Sequence, residues 1–232
     1  MPGCARCAAQ RIRLSAACRV QENKLSWRRL PPREESGMLS ELHIKDHAKR
    51  AAARLLRPWS PFLYVEELEV SHGAARIDFA LIGSAIIGVE IKSPLDDLSR
   101  LDSQATHYNS YFEYLILAVA DDQLNAATTT VPEFWGLVDI RVRNDRPFYT
   151  QVRPAKRNQA FQATAFTELL WRVELEKLFS KFCIPQLPIK APKQALRERL
   201  IEWVEKSQLK AETIELLSQR TTWRASLLHA TT

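Results

Sequence analysis

The sequence predicts an α/β fold, a mixed sheet in the order α-β-β-β-α-β flanked by helices, with a C-terminal helical extension. Three observations predict it. Strand-length apolar runs are punctuated by turn residues at Gly83-Ser84 and Ser93-Pro94. A polar stretch of helical length, residues 96–112, separates two of these runs. A strand-helix-strand crossover forces a parallel pair, which here lies beside an antiparallel hairpin.

The elements follow in chain order. A stripe of Leu42, His43, Ala48, Ala52 and Leu55-Leu56 predicts an amphipathic helix over about 39–56, ended by Pro58 and Pro61. A strand is expected over about 62–70, then a turn at His72-Gly73. A hairpin is expected over about 75–92. Asp96 or Asp97 can cap a helix running to about Phe112. Tyr114–Ala120 is wholly apolar, which suits a strand covered on both faces. A loop is expected over 128–132, strands over 135–142 and 148–152, and helices near 160–182, 192–206 and 210–220.

Three regions result: an N-terminal extension (1–37), a core (38–158) and a helical extension packed on the core (159–232). The chain has 232 residues and a net charge of +6. Residues 1–37 hold eight Lys/Arg and three Asp/Glu, leaving 25 basic and 24 acidic residues in the rest. Bulk charge therefore says little about DNA binding by the core. Residues 1–37 read as a disordered arm, or as a stretch upstream of a true start at Met38. Glu34-Glu35 can be encoded as GAGGAG, a ribosome-binding sequence. Cys4, Cys7 and Cys18 have zinc-like spacing but no nearby fourth ligand. No apolar run reaches membrane-spanning length, and no export signal is present. A cytoplasmic protein with reduced cysteines is expected.

The chemistry concentrates between Arg76 and Lys92. Glu90 and Lys92 are two apart, so in a strand they share a face. If Gly83-Ser84-Ala85 is a three-residue loop, Asp78 lies opposite Glu90. A two-residue loop would place them on opposite faces unless a bulge intervened. Two carboxylates and a lysine on one face can hold a hard divalent cation, Mg²⁺ or Mn²⁺, and activate a water. Gln104 and Tyr108 lie four apart on one helical face, with Arg100 four residues earlier. They form either a phosphate- or base-holding surface or a polar seam between helix and sheet.

An Asp followed by a hydrophobic strand and Glu-x-Lys, here Asp78…Glu90-Ile91-Lys92, resembles the PD-(D/E)XK nuclease superfamily. Gln104-Ala-Thr-His-Tyr108 resembles the Gln-x-x-x-Tyr element of its RecB-like branch. Arg100-Leu101, Val131–Gly136 and Leu170–Glu174 add likeness to a small bacterial family within it. The resemblance implies a restriction-endonuclease-like core and metal-dependent hydrolysis of DNA phosphodiester bonds. Asp78 and Glu90 would hold the metal, with the Ile91 carbonyl as a further ligand. Lys92 would assist the attacking water. Members usually carry another acid: Glu67 is the first candidate and Glu41 the second, with a solvated acidic edge as the alternative. On this reading Glu67 shares a face with Glu69, and Glu66 takes the other. Arg76, Ser93, Arg100 and Arg153, the last in Arg153–Arg157, are candidate nucleic-acid contacts. Ser93 and Arg153 have equal alternatives as turn and loop residues.

His72 and His107 can approach the site or be structural, while Trp135 and Trp171 are expected in the core. DNA is the expected partner, and no small-molecule cofactor or membrane is expected. A homodimer or a protein partner stays open, as do one ion against two and DNA against RNA. The competing readings are a non-cutting binding protein on the same fold and an interaction protein with an accidental Glu-x-Lys.

Overall fold

A computed structural model describes residues 63–93, 96–120, 123–143 and 146–220. All belong to the unit Ser36–Thr232. The expected N-terminal helix, Glu41, the cysteine cluster and the Met38 start lie outside the described residues.

Six strands form one mixed sheet in sequential order: β1 (Leu63–Val70), β2 (Ala75–Ile82), β3 (Ile86–Lys92), β4 (Tyr114–Ala120), β5 (Gly136–Arg143) and β6 (Arg146–Arg153). β1/β2, β2/β3 and β5/β6 are antiparallel. β3/β4 and β4/β5 are parallel, each pair bridged by a helix. The first bridge is α1 (Leu101–Tyr111), the second α2 (Leu124–Thr130). The C-terminal helices are α3 (Ala163–Phe166), α4 (Arg172–Lys181), α5 (Lys193–Trp203) and α6 (Lys206–Ser218). No helix among the described residues is long and apolar enough to cross a membrane.

Asp97 accepts from Ser99 N at 2.7 Å and starts the 3-10 turn that leads into α1. Buried Leu101, Ala105, Tyr108 and Phe112 make one helical stripe against the sheet. Alternate strand residues fill two cores. Ala80, Ile82, Ile86, Leu117, Val119 and Leu137 join the helices, and Phe79, Leu81, Ile87, Val89, Val138 and Ile140 form a second apolar layer. Gly88 permits the close approach of β3 and α1. A Cβ there would stand 2.5 Å from Ile77 Cδ1 and 2.9 Å from Phe112 Cγ.

Three expectations are corrected. Residues 128–130 close α2 instead of forming a loop. Thr128 Oγ1 donates to Leu124 O at 2.7 Å and Thr130 Oγ1 to Ala126 O at 2.9 Å, so the threonines turn back onto the helix, whose Ala127 is buried. The helix expected near 160–182 is broken at Leu170-Trp171, both extended, where Glu174 takes the Trp171 N–H at 2.6 Å. The last helix begins at Lys206, not 210, because the Glu205 side chain accepts from Ser207 N and Gln208 N.

Candidate functional site

The β2–β3 pairs run from Phe79↔Val89 to Ile82↔Ile86. The loop is therefore Gly83–Ala85, the three-residue case. One further step of this register sets Asp78 opposite Glu90. The ladder is replaced there by a side chain: Asp78 Oδ2 accepts from Ile91 N at 2.7 Å. Asp78 is half-buried, whereas Glu90 and Lys92 are 3% and 5% exposed.

Lys92 Nζ lies 2.9 Å from Glu90 Oε1 and donates to Gln104 Oε1 at 3.0 Å. Tyr108 OH lies 2.7 Å from Arg76 O and 3.1 Å from Glu90 Oε2. The phenol has one proton for these two acceptors. Gln104 Nε2 reaches Tyr108 OH at 3.4 Å. The end of β3 and one face of α1 thus interlock through four side chains. Burial pushes the Glu90 carboxyl above the usual glutamate range, with Lys92 as the main counterweight. Burial, then Glu90, pushes the Tyr108 phenol far above its ordinary value, which keeps it a neutral donor.

The donor set suits a hard cation. Mg²⁺ binds commonly through one or two carboxylates and keeps several waters. Asp78 and Glu90 supply hard oxygens, and a cation would offset the burial of Glu90.

Glu67 does not complete the expected acid set. The β1–β2 register places it opposite Asp78, but its backbone is left-handed (φ 49°) and its carboxylate pairs with Arg76 Nε at 2.8 Å. The expected alternation fails with it. The register is the same on both sides of Glu67, yet Val65 before it and Leu68 and Val70 after it all enter the same core, so the side-chain alternation shifts at the left-handed residue. Among the described residues no group of three or more His, Cys, Asp or Glu side chains could hold a metal. For Ile91 the contact shown is through its N–H, not the expected carbonyl.

The remaining candidates divide. Arg76 lies at the site through its carbonyl, its guanidinium being turned to Glu67. Ser93 is buried and its N–H closes a turn onto Asp96 Oδ2 at 2.6 Å. Arg100 is exposed at the end of the 3-10 turn, one turn before Gln104. Arg153 is a strut: Nε donates to Trp135 O at 2.8 Å and Nη2 to Pro132 O at 3.1 Å. His107 Nδ1 meets Ser71 Oγ at 3.0 Å, and His72 Nδ1 lies 3.7 Å from Glu168. Trp135 is buried as expected, but Trp171 is 42% exposed beside the break in the helix.

Sequence reasoning missed Asp139. It is 2% exposed, pairs with Arg141 at 2.7 Å and leaves Oδ1 without a hydrogen-bond partner. The registers Lys92↔Val119 and Val119↔Asp139 place it on the Lys92 face of the sheet, two strands away. The available signal was a single acid within the apolar run Leu137-Val-Asp-Ile140.

Fold and site define an α/β protein with a buried acid–lysine pair at the end of a central strand. The chain belongs to the bacteriophage P4 protein cII family, whose model matches residues 55–232. Protein cII of Enterobacteria phage P4 is 23% identical over 120 residues, covering 52% of this chain and 46% of that protein. The match thus spans about half the length of that relative. No solved structure matches significantly. These matches correct the family expected from the Asp78…Glu90-Ile91-Lys92 motif. A few charged positions on a hairpin are weak grounds for a family, whereas the cII model covers most of the chain.

Proposed function

We propose that the protein is a divalent-metal-dependent nuclease that hydrolyses DNA phosphodiester bonds in the cytoplasm. The unit β1–β2–β3–α1–β4 would serve as a restriction-endonuclease-like core. One observation carries this reading: Glu90 and Lys92 are buried and paired at the end of one strand, with Asp78 across the hairpin accepting from the Ile91 N–H between them.

Asp78 and Glu90 would hold Mg²⁺ or Mn²⁺, which when bound supplies Lewis-acid activation of water and neutralises charge on the phosphate. The chain's own groups do the positioning. Gln104 fixes the Lys92 ammonium at 3.0 Å. That ammonium orients the attacking water and stabilises charge growing on the phosphoryl oxygens. Tyr108 holds the Glu90 carboxylate against rotation. Water adds to phosphorus as the bridging P–O bond breaks, leaving a phosphate monoester and a hydroxyl.

One observation favours a second reading, a non-cutting nucleic-acid- or partner-binding protein. Glu90 already has Lys92 and Tyr108, and Glu67 is turned to Arg76. Incubation with linear and circular DNA, single- and double-stranded, with Mg²⁺, Mn²⁺ or chelator separates the two. Cutting that needs the metal supports the nuclease. A folded protein that binds DNA but cuts no form supports the second reading.

A further inference from the structure

A cleft of about 310 Å³ opens beside the candidate site. One wall is the end of β1, the turn Ser71–Gly73, and Arg76 of β2; the other is Glu168, Leu169, Trp171, Lys193 and Arg220. Arg76 of this wall also borders the acid–lysine site, because its carbonyl accepts from the Tyr108 hydroxyl at 2.7 Å.

Its construction is unusual in two independent ways. The described residues include four non-glycine residues with left-handed backbone, and three of them, Glu67, Ser71 and His72, line this cleft. Such strain persists only where surrounding structure enforces it, and it gathers at ligand clamps. At Ser71 the Tyr111 hydroxyl holds the turn: it accepts from Ser71 N at 3.0 Å and donates to Glu168. The second feature is Trp171, a large indole left 42% exposed on a cleft wall. The Arg220 guanidinium lies 4.2 Å from its ring centroid and is held by the buried Glu174 and by Leu169 O. The indole is thus braced from one side at a cost in charged partners that a surface tryptophan does not require.

We infer that this cleft takes an unstacked nucleobase from a single-stranded segment of the substrate, stacked on Trp171, with Lys193 toward its phosphate. The inference rests on the nuclease reading for its substrate class. The volume suits one nucleotide-sized group. The polar lining suits a heterocycle with donors and acceptors at its edge, and a braced indole is a stacking platform indifferent to base identity. The nearness of Arg76 to Asp78 places such a base close to the scissile phosphate.

The test uses the full chain in chelator, so that nothing is cut. Binding of a labelled single-stranded oligonucleotide and of a blunt duplex is followed by anisotropy for wild type, Trp171→Ala, Trp171→Phe and Lys193→Glu. Cleavage with Mg²⁺ is measured in parallel. Trp171→Ala is expected to weaken single-strand binding about tenfold or more. Duplex binding should change less than about twofold, and Trp171→Phe should keep most of the affinity. Lys193→Glu, an exposed change that spares the fold, should weaken binding and flatten its salt dependence. Single-strand binding unchanged in both Trp171→Ala and Lys193→Glu overturns the inference, even if wild type cuts DNA. Equal losses on both substrates overturn it too. Selective loss in Trp171→Ala without any cleavage by wild type supports the base cleft and removes the nuclease reading alone.

Discussion

Glu113 and Glu90 are 4% and 3% exposed, and both are ion-paired. Glu113 receives Lys210 at 2.5 Å, Arg157 at 3.4 Å and the Ile86 N–H at 3.2 Å, drawn from α6, the segment after β6 and the start of β3. Glu90 has one cation, Lys92 from its own strand and shared with Gln104, and a phenol whose single proton also faces Arg76 O. The first carboxylate joins three parts of the chain and carries two positive charges. The second joins β3 to α1 with one, and burial holds its carboxyl above the ordinary range. Charge balance separates the two: Glu113 has two cations from distant parts of the fold, whereas Glu90 has one from its own strand.

Substitutions should separate the two glutamates. Lys92→Ala is expected to lower DNA cleavage by about a hundredfold to ten-thousandfold, as loss of a group acting on the reacting atoms does. Glu113→Gln should keep the wild-type rate per folded molecule. Single-turnover assays beside circular dichroism measure both, and equal losses would erase the distinction. Glu113→Ala should lower unfolding free energy in urea by about 3 kcal/mol, because it leaves the half-buried Lys210 without its acid. Mg²⁺ at a hundred times its dissociation constant should stabilise wild type by about 2.7 kcal/mol and Glu90→Ala by much less. A metal effect of the same size in both proteins places the ion elsewhere. Tyr108→Phe should cost about 1 kcal/mol for the lost hydrogen bond to Arg76 O, read from the same urea curves.

The smallest effect is one of pH. Glu90 has a folded pKa raised above its unfolded value, so its stability contribution is full below the ordinary glutamate range. That contribution is lost as pH rises through the raised value. Metal-free wild type should lose stability across this window relative to Glu90→Gln. A wild type that gains stability there contradicts the under-compensated reading.

Much of this was legible before the structure. Period and punctuation located all six strands, while the choice between a two-residue loop, a three-residue loop and a bulge was left to the structure, which shows the three-residue loop. The polar helix face Gln104/Tyr108 was legible because four-residue spacing fixes a helix face wherever the helix lies. What failed depended on contacts distant in sequence or on unusual backbone. A glutamate gives no warning of a left-handed conformation, so the break in alternation at Glu67 and its pairing with Arg76 were invisible. The threonines of α2 read as loop residues because their hydroxyls compete for backbone, and here they compete in favour of the helix. Trp171 read as core from its size alone, although Arg220, 49 residues later, is what braces it. The Asp78…Glu90-Ile91-Lys92 and Gln104…Tyr108 motifs, with the shorter likenesses beside them, also misdirected the family, which needed the pattern of residues 55–232 to be seen.

On the proposed reading Asp78 and Glu90 hold a divalent ion and Lys92 assists the attacking water. The most direct test of that reading is the single-turnover cleavage rate of end-labelled and circular DNA against Mg²⁺ concentration, in wild type and Asp78→Ala. A saturable, chelator-sensitive rate is expected in wild type and none above background in the variant. Cleavage that survives Asp78→Ala with the same metal dependence would contradict it, as would a folded wild type that binds Mg²⁺ at Glu90 and cuts no DNA.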